Sequence, residues 1–198
     1  GSGIGYTGLR VRGSDATRVN VSINGIPYND AESQGVYWVN LPDLASSVDR
    51  VQLQRGVGSS TYGPGSFGAS LNLWTGQKVK EAGVSMSSTM GSFNTQKHTL
   101  KFSTGALTDG LSLSGRVSKI NSDGYIDRAS SDLAAYYLEA GYQSDKTKLK
   151  ILAFGGQEET YQSWYGVDQA TLEGDRSYNP AGIQFDDQGN FEGFYDTQ

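Results

Sequence analysis

Apolar and polar positions alternate along most of this chain, and the character of the alternation changes near Gly76. Before that point the apolar positions come in short groups. Leu9 and Val11 form one group, Val19, Val21 and Ile23 a second, Val51 and Leu53 a third, and Leu71 and Leu73 a fourth. A period of two over so few residues predicts short, half-buried strands. The first two groups read as strands joined by a turn at 13–17, and Asn24-Gly25 with Pro27 ends the second. Between the third and fourth groups lie Gly56, Gly58, Gly63, Pro64, Gly65 and Gly68. Glycine tolerates positive φ and close backbone approach, so this stretch predicts a sharply folded link between two paired strands. Residues 42–48 suit a short helical turn.

After Gly76 the alternating runs lengthen. Val84 and Met86, then Leu100 and Phe102, then Leu111, Leu113 and Val117 each alternate with Ser, Thr, Lys or Arg. Tyr136, Leu138, Ala140 and Tyr142 continue the pattern, as do Leu149, Ile151 and Ala153, although Leu152 and Phe154 blur the last run. Strands of about ten residues cross a bilayer when tilted. One apolar and one polar face suits the wall of a membrane barrel, but equally one sheet of a soluble sandwich. The connections separate the two. Short turns at 106–110 and 143–147 alternate with long loops at 121–132 and from 157 onward. Bacterial barrels keep short turns in the periplasm and long loops outside. Five strands running outward from residue 82 satisfy that rule, with 91–95 shorter than an outer loop usually is.

Composition narrows the functional classes. The 198 residues suffice for one domain or two small ones, and no apolar run reaches the length of a membrane helix. Sixteen basic residues against 21 acidic ones leave no basic cluster for nucleic acid. Cysteine is absent and His98 is the sole histidine. A Cys-His or His-rich metal centre therefore cannot be assembled within the chain, and an ordinary Ser-His-Asp site is not expected. His98 falls on the apolar side of its strand, with Leu100 and Phe102. Carboxylate pairs occur only in predicted loops. The expectation is a protein without catalysis, cofactor or metal. Gly3, Gly5 and Gly8, and again Gly63, Gly65 and Gly68, fit G-x-G-x-x-G. A dinucleotide site needs a helix after the glycines, whereas LRVRG alternates like a strand, so these read as loops. The run from Asp186 to Asn190 reads as a polar hairpin turn between Phe185 and Phe191.

The stretch 28–40 mixes aromatics with amides and carboxylates: Tyr28, Asn29, Asp30, Glu32, Gln34, Tyr37 and Trp38. Rings offer apolar area with a polar edge, which suits ligand contact. The same rings serve equally to pack a loop onto a core.

LRVRG, RVNVSINGIPYND and VDRVQLQRGVGSSTYGPGSFGASLNL together resemble the later part of the plug domain of TonB-dependent outer-membrane receptors. The likeness runs over roughly residues 3–75. It rests on Arg12-Gly13, the Asn24-Gly25-Ile26-Pro27 turn, Arg55-Gly56, Tyr62-Gly63 and Gly68-Ala69. Many family members carry Asp at the position of Asn24 and a second Gly at that of Ala69. The wording of the 24–34 stretch resembles Bacteroidetes-like, siderophore-type plugs.

The resemblance implies a mainly β protein. A mixed α/β plug at 1–76 would be followed, at 77–198, by the first antiparallel strands of a transmembrane β-barrel, a fragment of the family's barrel of about twenty-two strands. It implies the Gram-negative outer membrane, with plug and turns toward the periplasm and long loops extracellular. It also implies energy coupling through TonB-ExbB-ExbD and a small nutrient ligand: a ferric siderophore by default, or haem, cobalamin, peptide or glycan. A surface lipoprotein is a further partner the family allows. The outward plug loops would be 3–7 and 28–40, on the reading that the 14–17 turn faces the periplasm. Ligand-facing candidates are then Tyr6, Tyr28, Asn29, Glu32, Gln34, Tyr37 and Trp38. Arg12, Gly13, Asn24, Gly25, Pro27, Arg55, Gly56, Gly63 and Gly68 would be structural, with Arg12 and Arg55 pairing with carboxylates of the barrel wall. Two other classes fit parts of the pattern: a secreted β-sandwich that binds glycans, and a barrel adhesin without transport.

Overall fold

The computed structural model describes residues 4, 7–57, 67–76, 81–161, 163 and 165–195. Two sheets dominate it. In the first, β1 (Val19–Ile23), β2 (Ile26–Pro27), β3 (Val48–Arg55) and β4 (Ala69–Thr75) lie in the order β2-β1-β4-β3. The second is an antiparallel meander of β5 (Ala82–Met90), β6 (Gln96–Thr104), β7 (Leu111–Ser122), β8 (Ser131–Gln143) and β9 (Lys148–Thr160).

In the first sheet β3 and β4 pair antiparallel, with Val51 opposite Leu73 and Leu53 opposite Leu71. β1 runs parallel to β4, Val19 opposite Ala69 and Ile23 opposite Leu73. Asn24 and Gly25, both at positive φ, close the two-residue turn to β2, the geometry that matches strand twist. Every β1 residue is buried, so this strand is covered on both faces. Val19, Val21, Ile23, Ala69 and Leu73 pack with Val11, Leu41 and Leu44 to make the core. Ser22 and Asn72 face the other way and bond side chain to side chain at 2.6 Å.

One expected strand is absent. Leu9 and Val11 alternate as a strand would, but Val11 makes only a single bridge to Ser14. Arg12 and Gly13 both take positive φ there, which turns the chain at once. A 3-10 turn at Ala16–Arg18, capped by the Asp15 side chain on the Thr17 amide at 2.9 Å, then leads into β1. A second such turn at Leu44–Ser47 falls where a short helical turn is expected.

The second sheet has two distinct faces. Val84, Leu100 and Leu111 are 75%, 40% and 49% exposed, and Met86, Val117, Tyr136, Leu138 and Ile151 share their outward side. Arg116, Ser118, Ile120, Leu133, Ala135 and Tyr137 point inward and are buried against the first sheet. The outward face is apolar through its middle and ends, near the long loops, in Lys119 paired to Asp132 and in His98 bonded to Ser88 at 2.9 Å. That is the profile of a wall with lipid on one side. Phe154 departs from the polar inward pattern because it meets core: its ring stacks on Tyr137 and tilts against Tyr28, 6.5 Å between centroids in each case.

On the outward face Gly115 is a packing necessity. A Cβ there would stand 2.5 Å from the Phe102 ring and 2.8 Å from Leu138 Cδ2. Overpacking of this kind costs about 1–3 kcal/mol. Gly115→Val in the intact protein is expected to lower the thermal midpoint in detergent, read by circular dichroism, while Gly83→Val, which meets only open space, leaves it in place.

The two sheets also orient one another. β4 ends at Thr75, and the wall begins at Ala82 on the rim carrying the short turns. Tyr28 N donates to Val21 O and Asn29 Nδ2 to Val19 O, so the chain doubles back along β1 after the Asn24-Gly25 turn. Loop 28–40 therefore lies at the Val19 end of the sheet, and so does the 14–17 turn. The expectation that 14–17 faces the short-turn rim is corrected: that rim belongs to Asn24-Gly25 and Thr75. The reason is the β1–β4 pairing, which is parallel and so places both strand starts together.

Candidate functional site

Two groups of residues lie between the first sheet and the wall. The deeper one centres on Asp43, whose backbone is left-handed at φ 50° and whose side chain is only 6% exposed. Two wall strands and the Leu44–Ser47 turn all supply donors to it. Lys97 Nζ and Ser46 Oγ donate to Oδ1, each at 2.6 Å. Ser118 Oγ donates to Oδ2 at 2.7 Å, and Arg116 pairs with the same oxygen. Arg116 also donates from Nε to Ser47 Oγ at 2.8 Å, and Lys101 Nζ to Ser46 O at 3.2 Å. Burial works against the Asp43 carboxylate. The bonds from Lys97, Ser46 and Ser118 and the Arg116 charge outweigh it and hold its carboxyl below the ordinary range. Just before it Pro42 seats on β9 at Gly156, where a Cβ would come within 2.6 Å of Pro42 Cγ.

A second junction lies toward the short-turn rim. Asn24 Nδ2 donates to Thr75 Oγ1 at 2.8 Å, and Thr75 N donates to Asn24 Oδ1 at 3.0 Å. The Tyr137 hydroxyl sits 2.7 Å from both Thr75 Oγ1 and Glu139 Oε2. A phenol has one proton, so a consistent chain runs from Asn24 through Thr75 and Tyr137 to the carboxylate. Lys150 closes it, 2.9 Å from Thr75 O and 3.1 Å from Glu139.

Above these junctions, the residues of loop 28–40 divide by what they touch. Asn29 is committed to the backbone: its Oδ1 accepts from Val21 N at 2.7 Å, and its Nδ2 donates to Val19 O and Gln34 O. Tyr28 and Trp38 are half-buried against the core. Asp30 accepts from the Ser33 and Glu32 amides, which hold its carboxyl below the ordinary range. Gln34 sits at φ 60° with its amide donating to Ala31 O at 3.2 Å. Glu32 and Tyr37 are exposed, Tyr37 at 54%. Tyr6 and Gly63 lie outside the described residues. Beneath the loop a cavity of about 550 Å³ runs between sheet and wall. Trp38, Leu41, Leu44, Leu73, Ile120 and Leu133 line it, and among the described residues Glu158 Oε1, also in its lining, has no hydrogen-bond partner.

Residues 1–70 match the family model described as TonB-dependent Receptor Plug Domain. The chain is 30% identical over 89 residues, 45% of its length, to the vitamin B12 transporter BtuB of Vibrio cholerae serotype O1. Among solved structures it resembles the pyoverdine outer membrane receptor FpvA from Pseudomonas aeruginosa PAO1 bound to pyoverdine, at TM-score 0.66 and 20% identity over 96% of the chain. It also resembles the siderophore receptor PiuA from Acinetobacter baumannii, at TM-score 0.63 and 21% identity over 82% of the chain. The chain spans 14% of the transporter's length and 27% and 22% of the two solved chains. The fold, a four-stranded sheet packed against an open antiparallel meander, is the one it shares with these solved receptor chains.

The candidates for structural roles differ in what they touch. Gly56 N donates to Gly68 O and Gly68 N to Arg18 O, tying the ends of the glycine-rich link to β1. Gly13 and Gly25 take positive φ in their turns, and Pro27 is exposed on β2. Arg12 and Arg55 are both exposed. Cations of the wall also reach the first sheet: Lys97 and Arg116 pair with Asp43, and Lys150 reaches Thr75 O. Sequence reasoning missed them because strand alternation marks them only as inward and polar.

The wall's long loops are braced to one another. Asp127 N donates to Ser177 O, and Asn179 Nδ2 to Asp127 O at 2.9 Å. Arg128 bonds Asn179 O and Ala181 O, and its guanidinium lies 3.8 Å from the Phe194 ring centroid. Between Phe185 and Phe191 a hairpin (Ile183–Phe185 with Phe191–Phe194) turns on Asp186, which accepts from the Gln188 and Asn190 amides, as the polar-turn reading expects. A five-residue helix at Gln169–Glu173, capped by Asp168 on the Thr171 amide at 2.8 Å, interrupts the same loop.

Proposed function

We propose that this chain is the ligand-facing part of an outer-membrane importer. In that reading, residues 1–76 plug the barrel and residues 77–198 form its first strands. A scarce nutrient, with a ferric siderophore as the leading class, is captured at the outer face. It then enters when energy relayed through TonB, ExbB and ExbD moves the plug. The observation that carries this reading is the shared orientation of plug and wall. The aromatic and acidic loop 28–40 lies at the end of the sheet that faces the long loops, over a seam locked by buried charges. A glycan-binding sandwich has no use for an apolar outward wall, and an adhesin has no use for a plug.

Within the loop we assign direct contact to Tyr37 and Glu32, which stand exposed, and a supporting role to Asn29, Tyr28 and Trp38. The test is uptake of a radiolabelled ferric siderophore by cells carrying the full receptor, with and without TonB, and with labelled cyanocobalamin as the second probe. Uptake of either probe that disappears without TonB supports import; siderophore uptake supports the leading class. Uptake of neither, or equal uptake without TonB, counts against it. Tyr37→Ala is expected to weaken surface binding of the imported probe about tenfold, the cost of about 1.4 kcal/mol, with normal insertion. Trp38→Ala is expected to lower stability as well, because that ring packs on the core.

A further inference from the structure

We propose that the wall groups gripping Asp43 form an anion station on the import path. The plug's own carboxylate occupies it at rest, and an anionic group of the cargo occupies it when the seam opens. This rests on the transport reading above. The site is already built around a carboxylate. Lys97 Nζ at 2.6 Å and Ser118 Oγ at 2.7 Å reach its two oxygens, and Arg116 pairs with the second. These three donors belong to the wall and not to the plug. Arg116 is 3% exposed and is held in place by Ser118 and Ser47. Lys101, four residues along β6 from Lys97 and on the same inward face, donates to the Ser46 carbonyl.

Two wall cations, Lys97 and Arg116, both pair with the Asp43 carboxylate. Moving the plug away strips Arg116 and Lys97 of their partner, and an unpaired buried charge is costly. An arriving carboxylate-type anion removes that cost by taking the position Asp43 vacates. Cargo and plug then exchange on one site, so the plug's departure and the cargo's advance are favoured together. A fork of Arg with a neighbouring hydroxyl suits a two-oxygen anion better than a spherical one.

The test uses the full receptor in detergent with the carboxylate removed. Asp43→Ala leaves the wall donors in place around a gap. Sodium acetate is expected to raise its thermal midpoint by about 2–4 °C relative to sodium chloride at equal ionic strength. The wild-type receptor, whose station is filled, should show no such difference, and Asp43→Ala with Arg116→Ala should lose it. Equal midpoints in acetate and chloride for Asp43→Ala would overturn the proposal. Should Asp43→Ala fail to assemble, the receptor is placed in a planar bilayer with the plug loosened by urea, under a potassium chloride gradient. Lys97→Gln with Lys101→Gln is then expected to shift the reversal potential toward cation preference, and an unchanged potential overturns the proposal. Neither readout depends on cargo uptake. A receptor that passes them yet imports nothing sinks the transport reading and leaves the anion site standing.

Discussion

Asp43→Ala in the intact receptor is expected to cost about 3–5 kcal/mol, the usual penalty for removing one partner of a buried ion pair. The loss exceeds that of an exposed salt bridge because Arg116 would remain buried without its carboxylate, with Lys97 beside it. The expected signature is local. Amide hydrogen exchange should quicken through residues 41–48 and in the loop before them, while β7 and β8, paired over twelve registered positions, keep their protection. A global loss of protection would contradict this. The pH dependence follows from the lowered Asp43 pKa. A carboxylate whose folded value lies below its unfolded one contributes fully above the ordinary value of 3.8 and less as pH falls through the lowered value. Acid should therefore loosen the wild-type seam below that range, and Asp43→Ala should not show this step.

The second large effect is at Tyr137. Its ring is 5% exposed and stacks on Phe154, and its hydroxyl joins Thr75 to Glu139. Tyr137→Ala removes both contributions and is expected to cost about 3–5 kcal/mol, as for other buried rings. Tyr137→Phe keeps the stack and removes only the relay, at about 1–3 kcal/mol. Thermal melts of the two variants in detergent separate the terms. If the ring carries most of the effect, Tyr137→Phe falls nearer to wild type than to Tyr137→Ala. Equal losses for the pair would show that the hydroxyl relay alone matters.

How much of this was legible beforehand depends on the range of the interaction. The wall was plain in the alternation of Leu111, Leu113 and Val117 with serines and Arg116, because a half-buried strand shows its period within a few residues. The pairing of 48–55 with 69–75 was signalled by matched alternation on either side of a glycine-dense link. The Leu9-Val11 pattern misled because two alternating residues also fit a chain about to turn at Arg12-Gly13. The placing of the 14–17 turn failed for a topological reason, since nothing local reveals that β1 pairs in parallel with a strand fifty positions on. Asp43 was invisible for the same reason. Lys97, Arg116 and Ser118 lie 54, 73 and 75 positions away from it. Composition singled out loop 28–40, but it did not separate Asn29, whose amide is consumed by backbone, from Tyr37, which stands exposed.

On the import reading proposed above, the brace joining Asp127 and Arg128 to Ser177, Asn179 and Ala181 bears on how quickly cargo is met and let go. A rim that is already tied down forfeits little disorder when something lands on it, so a modest set of contacts suffices for useful affinity. Capture should then run near the pace of diffusive encounter, without waiting for the rim to rearrange, and selectivity between similar cargoes should appear chiefly in how long each one stays.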